Sequence, residues 1–221
     1  MKYLVITKKL WSKKNFDRLN KNIKVSNKLD EYKILKINPK IIFFIHWSSY
    51  IPESLYQKFV CIQFHSSDLP RGRGGSPIQN QILLNIKKTK LTAFRVSKKV
   101  DSGPICLQEN LLLKGNAENI FKRVEAQSLR MIKKLIKVKK IKFKKQMGKQ
   151  TLFKRRKPSQ SKINLLKLLT INKLYDFLRM LDAPSYPNAF IELKNFRFIF
   201  NDIKKMNKSI NARVKIVKNE K

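Results

Sequence analysis

Apolar and polar positions change their period several times along the chain, and each change marks an element. KYLVIT is a short apolar run that reads as a buried strand, and a basic, loosely helical stretch follows from about Ser12. A second apolar run covers Lys40 to Ile45, and HWSSYIP turns the chain. PESLYQKF then has helical spacing with Pro52 at its first turn, and FVCIQF is another buried run. Strand, turn, helix and strand in that order predict a parallel crossover. The segment from His65 to Ser76 carries three glycines and Pro70 and follows neither period, so a strand delivers His65 into a loop. SPIQNQILLNIKK restarts a helix, with Ser76 placed as N-cap and Pro77 in the first turn. LTAFRVS alternates as a strand does, KKVDSG turns it, and PICLQENLLL is a further strand. Ile120, Val124, Met131 and Leu135 lie on one face of a long helix capped near Asn116.

From about Lys137 the composition becomes strongly basic, which puts a boundary near residue 140. Residues 1–140 are expected to form an α/β domain, and residues 141–221 a small α+β subdomain. The latter offers one helix, INKLYDFLRML, the turn DAPSYPN, and two strand-like runs, AFIEL and FRFIF, expected to form a hairpin. With 221 residues, of which 42% are hydrophobic, one main core is expected. The longest apolar run, Ile41 to Ile45, is far short of the roughly 20 residues that span a bilayer, and no signal-like segment opens the chain. Cys61 and Cys106 lack zinc or redox spacing, so no metal is expected and a reducing cytoplasm is the natural setting. The net charge of +37 would draw nucleic acid, acidic surfaces or phosphorylated ligands. Most of those cations are lysines scattered among Ile, Asn and Phe, so codon bias with a solvated surface accounts for them equally well.

In open α/β sheets ligands bind beyond the carboxyl ends of the strands, which is where HWSSY, HSSDLPRGRGG and the Asp101 turn fall. His65 in such a place is either a catalytic base or a hydrogen-bonded structural residue. Asp101 is either its partner or a turn residue accepting backbone hydrogen bonds. PRGRGGSP matches neither GxxxxGK[ST] nor GxGxxG, so its glycines are expected to let backbone approach a ligand. FKRRKPSQS is either a solvated linker or a phosphate anchor through Arg155 and Arg156.

QFHSSDLPRGRGGSPIQ, followed about 25 residues later by VDSGPI, resembles the formyltransferase pattern of a strand-borne His, then SLLP and RG, then a DxG turn. The resemblance implies a Rossmann-like core, transfer of formyl from 10-formyltetrahydrofolate, and catalysis by an Asn, His and Asp constellation. Here His65 and Asp101 match, and Gln63 stands where most members have Asn. It further implies a folate crevice lined by Ser49 and Tyr50, by Asp68, Leu69, Pro70 and Arg71, and by Val96 and Val100. Trp47, Arg73, Gly74, Arg155 and Arg156 are expected on the acceptor side.

HWS with IP, DLPRGRGGSPIQN, FKRRKPSQS and YDFLRMLDAPSYPNAF resemble a short subgroup of the family. It comprises the sugar N-formyltransferases acting on UDP-linked 4-amino-dideoxy sugars of pseudaminic acid type and the formylation domain of linear gramicidin synthetase. Because only about 80 residues follow the core, the expected acceptor is a nucleotide-linked amino sugar, with a homodimer through the C-terminal hairpin as one arrangement. Methionyl-tRNA is the alternative, which the charge favours. Glycinamide ribonucleotide, hydrolysis of the donor, and a non-catalytic nucleic-acid-binding protein are further readings.

Overall fold

The computed structural model describes residues 3–8, 22–167 and 170–219. The basic, loosely helical stretch predicted from about Ser12 lies outside them as far as residue 21, and beyond that the chain forms a short strand, Ile23–Ser26, before a helix, Glu31–Ile37. Six strands form one sheet: β1 (Tyr3–Thr7), β2 (Ile23–Ser26), β3 (Ile41–Ile45), β4 (Val60–His65), β6 (Lys88–Arg95) and β7 (Ile105–Leu112), in the order β2-β1-β3-β4-β6-β7. β5 (Arg73–Gly74) and β8 (Leu152–Phe153) are two-residue strands outside it. β1 pairs parallel with β2 and β3, and β3 parallel with β4, as the crossover order predicts, whereas β4 and β6 are antiparallel. Ile42, Phe43, Phe44 and Ile45 are fully buried, the continuous apolar run of a strand covered on both faces. On one side Ile42 and Phe44 pack with Leu55, Tyr56 and Phe59, which come from α2 (Glu53–Lys58) and the residue after it.

α1 (Glu31–Ile37) starts at Asp30, whose Oδ1 accepts from the Lys33 N–H at 3.1 Å, and ends on Asn38 in the left-handed region. α3 (Pro77–Leu83) begins where expected, but Ser76 does not cap it: Oγ accepts instead from the Arg156 N–H at 3.1 Å. α4 (Ala117–Lys137) is the long helix, and Asn116 Oδ1 caps it through the Asn119 N–H at 2.9 Å. No helix among the described residues is long and apolar enough to cross a membrane.

Packing groups the chain into two compact units, each drawn from three segments. The first is Met1–Gly75, Thr89–Leu111 and Arg123–Leu152, and the second is Ser76–Lys88, Leu112–Lys122 and Phe153–Lys221. The second unit holds α5 (Ile171–Arg179) and a three-stranded antiparallel sheet of β9 (Ala189–Leu193), β10 (Phe196–Lys205) and β11 (Ile210–Lys218), where the sequence suggested only two strands. Within it the DFLRMLDAP stretch is structural. Arg179 is buried and bridges Asp176 (2.6 Å) and the carbonyls of Leu113 (2.8 Å) and Gly115 (2.7 Å). The buried Asp182 carboxylate accepts from Asn116 Nδ2 (2.9 Å) and from the N–H groups of Asp202 (3.1 Å) and Ile203 (3.0 Å), at the irregularity in β10.

Candidate active site

β4 carries Gln63 and His65 two residues apart, so both project from the same face of the strand at its carboxyl end. His65 is 7% exposed and Asp101 8%, a degree of burial that polar groups tolerate when they are partnered. The ring Nε2 of His65 lies 2.8 Å from the Gly72 carbonyl, which only accepts, so the Nε2–H donates there. Nδ1 faces Asp101 Oδ2 at 3.6 Å. That length exceeds a hydrogen bond, and a neutral ring presents its lone pair toward a carboxylate that is already engaged by the Gly74 N–H at 2.8 Å. A proton arriving at Nδ1 would place positive charge directly opposite the Asp101 carboxylate.

The loops that bear these groups are held by local chemistry. Gly74 has φ 93 and Asp101 φ 48, both in the left-handed region, where Gly and Asp are among the residues that fit best. Gly103 meets a different demand, because a Cβ there would lie 1.7 Å from the Arg95 carbonyl oxygen. Only glycine lets the Asp101 turn close against the end of β6.

The sequence reading missed Gln146. Its Nε2 donates to the carbonyls of Asp101 and Gly103, both at 2.8 Å, and its Oε1 accepts from Arg73 Nε (3.1 Å) and Nη2 (2.7 Å). One amide therefore ties the Asp101 turn to the loop after His65. The Gly72 N–H donates to Thr151 Oγ1 at 2.7 Å, and Arg73 Nη1 to Gln150 Oε1 at 2.7 Å, so the whole stretch from Gln146 to Thr151 braces that loop. A lone amide in a lysine-rich run offers no periodicity, and no pattern in the sequence pointed to it.

The remaining expected positions divide by environment. Gln63 Nε2 donates to the Trp47 carbonyl at 3.3 Å, which joins β4 to the turn after β3. Trp47 packs against the core, and its Nε1 is buried without a hydrogen-bond partner, as is Ser67 Oγ. These two are among the buried polar atoms of the first unit that lack a hydrogen-bond partner, and such atoms fit a ligand that carries hydrogen-bonding groups. Leu69 and Pro70 are buried, Val96 packs beside the core with its N–H on the Cys61 carbonyl, and Asp68 engages Lys90 (3.1 Å) and Gln108 (3.3 Å). Ser49, Tyr50, Arg71 and Val100 are exposed, and Ser49 accepts from Lys8. Arg155 and Arg156 belong to the second unit. There Arg156 Nη2 donates to the Gln160 carbonyl, and burial holds its pKa below the usual arginine range.

Residues 4–136 match the formyl transferase family. The chain belongs to that family. Residues 158–217 match the C-terminal domain described for methionyl-tRNA formyltransferases. A methionyl-tRNA formyltransferase from Prochlorococcus marinus is 31% identical over 160 residues, covering 70% of this chain and 43% of that protein. The matched region thus spans less than half the length of this curated relative. The solved methionyl-tRNA formyltransferase from Clostridium thermocellum is 39% identical, covers 99% of this chain and 100% of its own, and superimposes with a TM-score of 0.93. A 4-N formyltransferase from Francisella tularensis covers 100% of this chain and 98% of its own with a TM-score of 0.69, but is 18% identical, which shows the fold alone.

These findings correct the expected acceptor. The nucleotide-sugar reading rested on chain length and on C-terminal motifs. A solved methionyl-tRNA formyltransferase chain of matching extent removes the length argument. The motif argument fails for a physical reason. Arg179 and Asp182 hold the second unit together, Tyr186 faces Ser76 at 3.2 Å, and Ser161 donates to the Pro187 carbonyl at 3.1 Å. Residues engaged in such contacts report the packing of a subdomain and not the identity of an amine.

Proposed function

We propose that this formyltransferase moves a formyl group from 10-formyltetrahydrofolate to the amino group of methionyl-tRNA. The observation that carries the acceptor is the 39% identity, extending over nearly the whole chain, to the Clostridium thermocellum methionyl-tRNA formyltransferase. The net charge of +37 supports a polyanionic partner. His65 and Asp101 supply the chemistry. Formation of the new amide requires that the attacking amine lose a proton and that negative charge on the formyl oxygen be met by a donor or cation. His65 takes the amine proton at Nδ1 and passes it to the departing nitrogen of the donor. Asp101 faces the resulting positive charge and, through the Gly74 N–H, fixes the loop that carries the Gly72 carbonyl. Gln63 orients the Trp47 turn, and its second amide N–H, on the same face of β4 as His65, meets the formyl oxygen. Asp68 to Arg71, Val96 and Val100, with Ser49 and Tyr50, form the donor side. Trp47 and Gly74 border the acceptor, while Arg73 acts through Gln146 as a brace.

The test is release of tetrahydrofolate from 10-formyltetrahydrofolate by the full chain with methionyl-tRNA, with free methionine, or with no acceptor. Release only with methionyl-tRNA is expected. Release at the same rate without an acceptor would make the chain a hydrolase and overturn the proposal.

A further inference from the structure

The second unit holds a cavity of about 1010 Å³, and none of its lining residues belongs to the site around His65. Its walls come from the end of α3 and the residues just after it, from residues 112–115 beyond β7, from α5, and from Lys205 at the end of β10. The floor is apolar. Ile82 and Leu113 are buried, whereas Leu83 and Leu112 are 45% and 46% exposed, so two leucines meet water inside one concavity. The half-buried Tyr175 adds an aromatic ring, with Arg179 Cζ at 5.6 Å and Lys205 Nζ at 5.9 Å from its centroid. Single exposed leucines are ordinary on a surface, but apolar groups gathered in a hollow form a face that a ligand can cover. The rim is cationic. Lys87, Lys88, Lys114, Lys173 and Lys205 line the cavity, and Asp176 is the one carboxylate among the lining residues. That carboxylate is already engaged, accepting from Arg179 Nε at 2.6 Å and from Lys87 Nζ at 3.2 Å. Lys205 donates to the neutral Asn172 amide oxygen at 2.6 Å, a contact that leaves its charge uncancelled.

We propose that this cavity binds an amphipathic organic anion, a carboxylate carried on an aliphatic or aromatic body. The two parts of the lining select such a ligand only together. A bare inorganic anion would meet the lysines and leave the leucines wet, and an uncharged hydrocarbon would cover the leucines and leave the surplus positive charge unanswered. The volume lies at the upper end of small-molecule pockets, roughly 300–1,000 Å³, which admits a body larger than one ring. Lysine stems are flexible and apolar, so they cover the hydrocarbon while their ammonium groups reach the head. The ligand would also stabilise the folded chain. Arg179 ties α5 to the carbonyls of Leu113 and Gly115, so both walls of the cavity belong to one buried network, and a molecule bound between them favours the state in which that network exists. The proposal is independent of formyl transfer, because binding alone measures it.

The test is fluorescence titration of the full chain with anilinonaphthalene sulfonate, a probe with an aromatic body and one negative charge, followed by displacement with decanoate, acetate or inorganic tripolyphosphate. Salt is held at about 0.15 M, which screens exposed charges beyond roughly 8 Å. Decanoate is expected to displace the probe at concentrations lower by about tenfold or more than either acetate or tripolyphosphate, and to raise the unfolding midpoint. Leu83→Gln with Leu112→Gln, which wets the floor, is expected to weaken decanoate binding by about tenfold, and Leu166→Gln with Leu193→Gln, exposed leucines outside the cavity, by less than about twofold. Lys88→Gln with Lys173→Gln changes only exposed rim positions and is expected to weaken decanoate by about threefold, which keeps the test decisive if the floor variant does not fold. Displacement by tripolyphosphate as effective as by decanoate would show that charge alone is read and would overturn the proposal. Equal losses in the cavity and control variants, or no displacement by decanoate, would overturn it too.

Discussion

The two units handle polar residues in opposite ways. In the first, the polar groups at the end of β4 interlock: His65 with the Gly72 carbonyl, Asp101 with the Gly74 N–H, and Gln146 with both loops. In the second, buried polar residues such as Arg179 and Asp182 are consumed by structure, while the exposed faces of β10 and β11 carry lysines and arginines toward solvent. The lesson is that burial of a polar residue does not distinguish chemistry from architecture. What sets His65 apart is a ring nitrogen facing a carboxylate without a hydrogen bond between them, at the open end of a parallel strand. The Asp182 carboxylate, by contrast, is taken up by the Asn116 amide and two backbone N–H groups.

The sharpest way to break this contrast is to neutralise the first unit's carboxylate. Asp101→Asn keeps the left-handed backbone, which Asn tolerates, and keeps an acceptor for the Gly74 N–H. Only the charge facing His65 is lost, and kcat is expected to fall about 100-fold or more, read as formyl transfer at saturating donor. Next comes Gln146→Glu, which preserves acceptors for Arg73 but removes both N–H donors to the Asp101 turn. A loss of about tenfold in kcat is expected, with KM nearly unchanged and stability lower by about 2 kcal/mol, because two hydrogen bonds of about 1 kcal/mol each are removed. An unchanged kcat would make Gln146 a spectator.

In the second unit the expected effect is on stability. Asp182→Ala leaves the Asp202 and Ile203 N–H groups and the Asn116 amide without their acceptor, at about 1–3 kcal/mol for a buried unsatisfied group. Denaturant unfolding should shift by that amount while kcat per folded molecule stays within about twofold, a change small enough to separate fold from catalysis. The smallest effect concerns the thiols. Burial pushes the pKa of both Cys61 and Cys106 up to about 12, so neither forms appreciable thiolate at neutral pH. Alkylation at pH 7 should leave both unmodified in the folded chain and label both after unfolding.

The parallel strands were legible because a strand buried on both faces reads as an apolar run, as Ile41 to Ile45 and Val60 to Ile62 do. The third strand of the small sheet was not, since INARVKIVK alternates apolar and basic residues on a largely exposed surface. β2 escaped for a related reason: at four residues it is too short to show a period. At the site, His65 and Asp101 were legible through their motifs and their place at strand ends, and Gly103 gains a steric reason that no spacing rule contains. Gln146 was illegible, because its role arises from a coil segment folding back onto two loops distant in sequence. The acceptor was misread because residues that hold the second unit together were taken as signs of the substrate.

The most direct test of the central claim, that the buried His65 performs formyl transfer to methionyl-tRNA, is a single-turnover measurement comparing wild type with His65→Ala. Transfer of labelled formyl from 10-formyltetrahydrofolate to methionyl-tRNA would be followed together with RNA binding. The account predicts binding within about twofold of wild type and a transfer rate lower by roughly 100-fold to 10,000-fold. Transfer at the wild-type rate by His65→Ala would contradict it.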